Sequence, residues 1–163
     1  MGTAFKEYAN YDALGLAELI AAKTVSPQEV LEAALHRIEK LNPVVNAVSV
    51  SMSDIAREQV KKGLPEGVFR GVPFLLKDLE VSNLPGVPTQ VGSRMLENNL
   101  PSSASHAVNA FIAAGFTLAG KTRVPNFGIS ATTEPVFGGP VRNPWNLGHS
   151  AGGSSGGAAA AVA

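Results

Sequence analysis

Apolar positions in the first third of the chain recur at helical spacing. Leu14, Leu16, Leu19 and Ile20 fall on one face between Tyr11 and Lys23, and Asp12 stands where an N-cap would, which predicts a short helix. Ser26-Pro27-Gln28-Glu29 reads as a capping box with proline at the first helical position. Behind it Val30, Leu31, Ala34, Leu35, Ile38 and Leu41 form a single stripe, and Asn42-Pro43 predicts its end, because a residue before proline is biased away from helix. His36 lies off that stripe beside Arg37 and Glu39 and is assigned to the surface. Val45 to Val50 predicts a strand, and Ser53 to Lys62 a third helix stopped by Gly63.

Past residue 70 the pattern changes to short, continuous apolar runs. Val72-Pro73-Phe74-Leu75-Leu76 ends in Lys77-Asp78 and reads as a buried strand with Lys77 at its exit. Two readings of that lysine stand: a solvated strand-end cation paired with Asp78, or an amine held in a site and neutral enough to act as a base. Residues 80–101 are rich in Pro, Gly, Asn and Ser, too long for a turn, and structured loops of that length are often functional. Ser105 caps a helix carrying Val108, Phe111 and Ile112, which ends at Ala114-Gly115, and Phe116 to Ala119 predicts a second buried strand. Helix followed by strand, twice over, gives an α/β fold with helices packed against a sheet.

Gly115-Phe116-Thr117-Leu118-Ala119-Gly120-Lys121-Thr122 fits the phosphate-loop expression G-x-x-x-x-G-K-T letter for letter. Its context is inverted: the first glycine ends a helix, the intervening residues are strand-like, and Val124-Pro125 prevents a helix after the lysine. Nucleotide binding is therefore rejected. Asn126 to Pro135 is polar and aperiodic, and Phe137-Gly138-Gly139-Pro140 is turn material. In Arg142 to His149, Trp145 is expected to be a packing anchor, and His149 is too close along the chain to Ser154 to be taken as its base. Gly152-Gly153-Ser154-Ser155-Gly156-Gly157 then runs into an alanine-rich helix. Such a stretch describes a backbone cradle at a helix start, suited to a phosphate, a carboxylate or the oxyanion of acyl transfer, whereas a flexible Gly/Ser linker rarely runs straight into such a helix.

Composition narrows the field further. The 163 residues carry zero formal net charge and 45% hydrophobic residues, enough for one globular domain and without the basic face that nucleic-acid binding needs. With no cysteine there is neither a disulfide nor a thiol nucleophile, and no metal or cofactor motif is read. Met1 to Glu7 lacks the pattern of a signal peptide and no apolar run approaches the ~18 residues of a membrane span, so the expected location is cytoplasmic, away from the membrane.

Four motifs in order, Leu75-Leu76-Lys77-Asp78, Gly120-Lys121-Thr122, Asn143-Pro144-Trp145 and the glycine-serine stretch 152–157, resemble the amidase signature family. The likeness runs from about Val72 to Ala163; Thr133-Glu134-Pro135 with Arg142 to Gly148 is similar to the branch that hydrolyses cyclic nylon oligomers. The resemblance implies an α/β core with a mixed sheet flanked by helices (64–163), incomplete here, behind a helical N-terminal lead-in (1–63). It also implies a Ser/cis-Ser/Lys triad in which Lys77 is the catalytic lysine, Ser154 the bridging serine and Ser155 a supporting hydroxyl. The nucleophilic serine would lie about two dozen residues past Ser154, so the chain is expected to be the N-terminal part of an amidase and inactive alone.

On the same resemblance Phe127, Gly128, Ile129, Gly152 and Gly153 are assigned to the substrate pocket. Asn126 stands where relatives often have an acidic residue, and Ile129 is apolar, which points to an apolar acyl group. The partners implied are a small-molecule amide and the remaining C-terminal part of the enzyme or a companion chain, with room for a homodimer. Two rival readings are the amidase component of a tRNA-dependent amidotransferase and a truncated, non-catalytic module.

Overall fold

The computed structural model describes residues 5–163; the first four residues of the Met1 to Glu7 segment read for a signal peptide lie outside the described residues. Helix α1 (Ala13–Ala21) starts where Asp12 accepts a hydrogen bond from the Gly15 amide at 2.8 Å. Helix α2 (Pro27–Val45) starts on the expected capping box, with the Ser26 amide donating to Glu29 Oε2 at 2.8 Å and the Glu29 amide to Ser26 Oγ at 3.2 Å. It does not stop at Asn42-Pro43. A proline removes its own N–H and crowds the carbonyl four residues back, which the last turn tolerates better than the middle. Here the Asn42 carbonyl still accepts from the Asn46 amide at 2.8 Å, and Asn46 ends the helix in the left-handed region at φ 57°.

The Asn42 side chain then clips both backbone groups of Val48, at 2.7 and 3.1 Å, which joins the helix end to strand β1 (Val48–Ser51) and delays that strand relative to the expected start at Val45. Helix α3 (Ser53–Lys62) ends at Gly63 as expected. Strand β2 (Pro73–Lys77), helix α4 (His106–Ala113) and strand β3 (Thr117–Thr122) follow. Strand β3 extends three residues past the predicted Ala119, through the whole glycine-lysine-threonine step. Two short strands that were not anticipated, β4 (Arg142–Asn143) and β5 (Asn146–Ser150), form a hairpin before helix α5 (Gly156–Val162).

The main sheet has the order β1-β3-β2, with β3 antiparallel to β1 and parallel to β2, so it is mixed as expected. Every residue of β3 is buried, because both of its faces are covered. Leu118 packs with Met52, Leu76, Val87 and Val108 on one face, and the next residue, Ala119, with Leu31, Leu35 and Ala56 on the other. That alternation is the two-residue period of a strand. Among the described residues no helix is long and apolar enough to cross a membrane.

Among the described residues Trp145 is exposed rather than packed as expected. The Asn143–Asn146 pairing leaves it at the tip of the β4–β5 hairpin, 85% exposed, where its amide donates to Asn143 Oδ1 at 3.0 Å.

Candidate active site

A parallel strand pair ends its two chains on the same side, and the exit of β2 carries Lys77 there, in register with Thr122 of β3. The alternation along β2 buries Leu76 completely and leaves Lys77 half-buried, its side chain emerging beside the glycine-serine stretch. Lys77 Nζ donates to Ser154 Oγ at 3.0 Å and to Ser155 Oγ at 2.7 Å. The Gly153–Ser154 peptide bond is cis.

Asp78, the adjacent residue, does not pair with Lys77. It points to the opposite side, 1% exposed, where its carboxylate accepts from the Gln90 amide at 3.0 Å and from Ser49 Oγ at 3.2 Å. Burial pushes that carboxyl above its ordinary range, opposed by the hydrogen bonds and by the charge of Lys121. Lys121 is itself completely buried and donates to Thr89 Oγ1 at 2.6 Å; Thr89 in turn donates to Asn83 Oδ1 at 2.9 Å. Desolvation brings the Lys121 amine down to about 8, with the charge of Asp78 pulling the other way. Arg123 joins the cluster, donating to the Asn46 carbonyl at 3.3 Å, and burial lowers it too. Behind the serine-lysine contact therefore lies a buried charged group that ties the 80–101 loop to the sheet. The lysine of the phosphate-loop string belongs to this group and sits on a strand, which leaves no open phosphate loop there.

The cradle is closed by its own neighbours. Gly156 donates its amide to Thr133 Oγ1 at 3.1 Å, Gly157 donates to the Arg123 carbonyl at 3.1 Å, and Thr133 Oγ1 donates to the Gly152 carbonyl at 2.8 Å. The first two amides of α5 are thus engaged inside the protein, which corrects the expectation that they await an anion. Gly153 lies against the backbone of residues 130–132, where a β-carbon would sit 2.8 Å from the Ser130 carbonyl oxygen.

Of the expected site residues, Lys77, Gly152, Gly153, Ser154 and Ser155 come together around one point. Ile129 is 86% exposed and lines a groove of about 430 Å³ with Arg94, Ser130, Thr132, Glu134 and Phe137. Phe127 and Gly128 do not line that groove: the Phe127 amide donates to the Val91 carbonyl at 2.8 Å, and Gly128 abuts the side chain of Leu79, two residues past Lys77. His149 is exposed on β5, and His36 is exposed on α2 as expected. Thr133, Asp78 and Lys121 are residues around the site to which the sequence pattern gives no role in it. The signal for the last of these was available, since a lysine between a glycine and a threonine at the end of an apolar run needs polar partners when the strand is buried.

Residues 29–163 match the family model described as Amidase. Over 153 residues the chain is 43% identical to a 6-aminohexanoate-cyclic-dimer hydrolase of Paenarthrobacter ureafaciens, covering 93% of this chain and 31% of that protein. It is 37% identical over 156 residues to an acylamidase of Rhodococcus erythropolis, covering 91% of this chain and 32% of that protein. The solved structure of a 6-aminohexanoate cyclic dimer hydrolase complexed with substrate superposes with a TM-score of 0.87 at 38% identity, over 95% of this chain and 33% of that one. The chain therefore spans about a third of the length of the relatives it matches. With a family model covering most of its length and a matching fold around the lysine-serine contact, the chain belongs to the amidase family.

Proposed function

We propose that this chain supplies the base and the bridging hydroxyls of an amidase that hydrolyses carboxylic amide C–N bonds by a Ser/cis-Ser/Lys mechanism. The observation that carries the reading is the pair of hydrogen bonds from Lys77 Nζ to Ser154 Oγ and Ser155 Oγ, at 3.0 and 2.7 Å. A lysine amine hydrogen-bonded to a serine hydroxyl forms a two-step proton path. The nucleophilic serine, from a segment past residue 163, gives its proton to Ser154 Oγ as its oxygen bonds to the amide carbon, and Ser154 passes its own proton to Lys77 Nζ. The protonated Lys77 returns a proton along the same path to the departing nitrogen as the C–N bond breaks. Water then takes the place of the nucleophile, releases the acid and restores the serine. The substrate is a linear or cyclic amide with an apolar acyl group, a preference supported by the exposed Ile129 and Val136 of the nearby groove.

In the full-length enzyme, release of amine from an apolar-acyl amide should fall by about 10²–10⁴-fold in Lys77→Ala and strongly in Ser154→Ala. Wild-type turnover in Lys77→Ala would overturn the reading. The 163-residue chain alone should not turn over substrate; hydrolysis by it that disappears in Ser154→Ala would mean that no outside nucleophile is needed. Copurifying partner proteins and glutamine-dependent ammonia transfer would replace the hydrolase with a component of an amidotransferase. If the full-length protein folds but is inert in both assays, the chain is a non-catalytic module.

A further inference from the structure

Thr133 has no exposed surface, and its side chain reaches both ends of the serine pair. Its hydroxyl donates to the Gly152 carbonyl, two residues before Ser154, at 2.8 Å, and accepts from the Gly156 amide, one residue after Ser155, at 3.1 Å. One oxygen thus uses its donor and an acceptor lone pair to span the loop that carries both hydroxyls. The threonine is fixed in turn: its carbonyl accepts from the Val141 amide at 2.8 Å, and the Val141 carbonyl accepts from the Ala151 amide at 3.3 Å, just upstream of the same loop. The same segment leaves the loop little slack, because Gly153 rests on the backbone of residues 130–132 and a β-carbon at Gly156 would run into the Thr133 hydroxyl.

We propose that Thr133 is a positioning residue for the amidase reaction: its hydroxyl clasps Gly152 to Gly156 and so holds Ser154 and Ser155 within hydrogen-bond reach of Lys77. The inference rests on the proposed function above, since it assigns Thr133 to the lysine-serine proton path. The completely buried Thr133 hydroxyl bonds to backbone groups on either side of the two serines and acts through them. Without the clasp the loop keeps its outer anchor, the Gly157 amide on the Arg123 carbonyl, and loses the two bonds that flank the serines. Displacing a proton relay by about 1 Å costs on the order of 100-fold in rate.

The test is steady-state amide hydrolysis by the full-length enzyme carrying Thr133→Val, Thr133→Ser, Thr133→Cys or Lys77→Ala. Valine keeps the shape and removes both hydrogen bonds; kcat should fall about 100-fold with KM within about threefold of wild type. Serine keeps the hydroxyl and should restore kcat to within about threefold of wild type. Cysteine keeps the volume with a weak donor and acceptor and should lose about tenfold, which preserves the test if the valine variant does not fold. Near-wild-type kcat in the valine or cysteine variant, while Lys77→Ala is inactive, would overturn the clasp alone. Serine as poor as valine would make the residue a packing element and also overturn it. Wild-type turnover in Lys77→Ala would overturn the proposed function and this inference together.

Discussion

Replacing Lys121 with methionine should remove a specific pH dependence from the stability of the fold. The amine is completely buried, donates to Thr89 Oγ1 at 2.6 Å, and is held down to about 8 from its ordinary 10.5 by desolvation. At about 1.4 kcal/mol per pH unit, that displacement corresponds to about 3 kcal/mol of native-state cost for keeping the proton. The sign follows from where the proton sits. Below about pH 8 native and unfolded chains both hold it, so the native state bears the whole cost. Between about 8 and 10.5 the unfolded chain holds a proton that the native chain has lost, so stability rises with pH across that window. Between pH 8 and about 9.5 the gain should be about 2 kcal/mol.

Burial raises the Tyr8 phenol above its ordinary 10.0, so from about pH 10 the unfolded chain loses a proton that the native chain keeps and stability falls; the rise due to Lys121 is therefore read between pH 8 and about 9.5. The assay is urea denaturation followed by far-UV circular dichroism at several pH values, for the wild type and Lys121→Met. At neutral pH the substitution removes the cost of the buried charge and also removes the Thr89 hydrogen bond and a counter-charge of Asp78. Those changes oppose each other, so the slope is the informative quantity. Methionine, which does not titrate, should abolish the rise. Parallel curves for the two proteins would refute the argument that burial depresses this lysine.

Two further outcomes follow from the same packing. Gly153→Ala places a β-carbon 2.8 Å from the Ser130 carbonyl oxygen and 2.9 Å from the Thr132 carbonyl carbon, both backbone atoms; it should cost about 1–3 kcal/mol by thermal denaturation and at least about tenfold in kcat of the full-length enzyme. Leu76→Ala empties a completely buried position one residue before Lys77 and should destabilise by about 2–5 kcal/mol in urea; a loss below about 1 kcal/mol would contradict the packing described.

Local chemistry alone determined most of the elements. The Ser26 capping box, the Asp12 and Ser105 caps and the Gly63 stop all act within four residues, so their consequences are legible wherever the chain later goes. The short apolar runs before Lys77 and before Lys121 marked buried strands for the same reason. The motifs around Lys77 and Ser154 carried the family resemblance because those positions combine rare chemistry with strict order. Where contacts beyond a single helical turn, or the placing of a hairpin, decide the outcome, the sequence was silent or misleading. Helix α2 runs through Pro43 because Asn42 finds Val48 of β1, and Trp145 is exposed because a two-residue turn carries it away from the body.

Only the tertiary structure shows which side chains Lys77 meets. Asp78 follows it in sequence, but the two-residue period of a strand sends adjacent side chains to opposite faces. Lys77 meets Ser154, 77 residues away, while Asp78 is drawn into the buried group with Ser49, Lys121 and Arg123. Thr133 became visible only in the same way, because a single hydroxyl that spans Gly152 and Gly156 leaves no periodicity to read. Side-chain type and spacing fix local conformation, whereas a site is a coincidence in space of segments that sequence keeps apart, and packing alone brings them together.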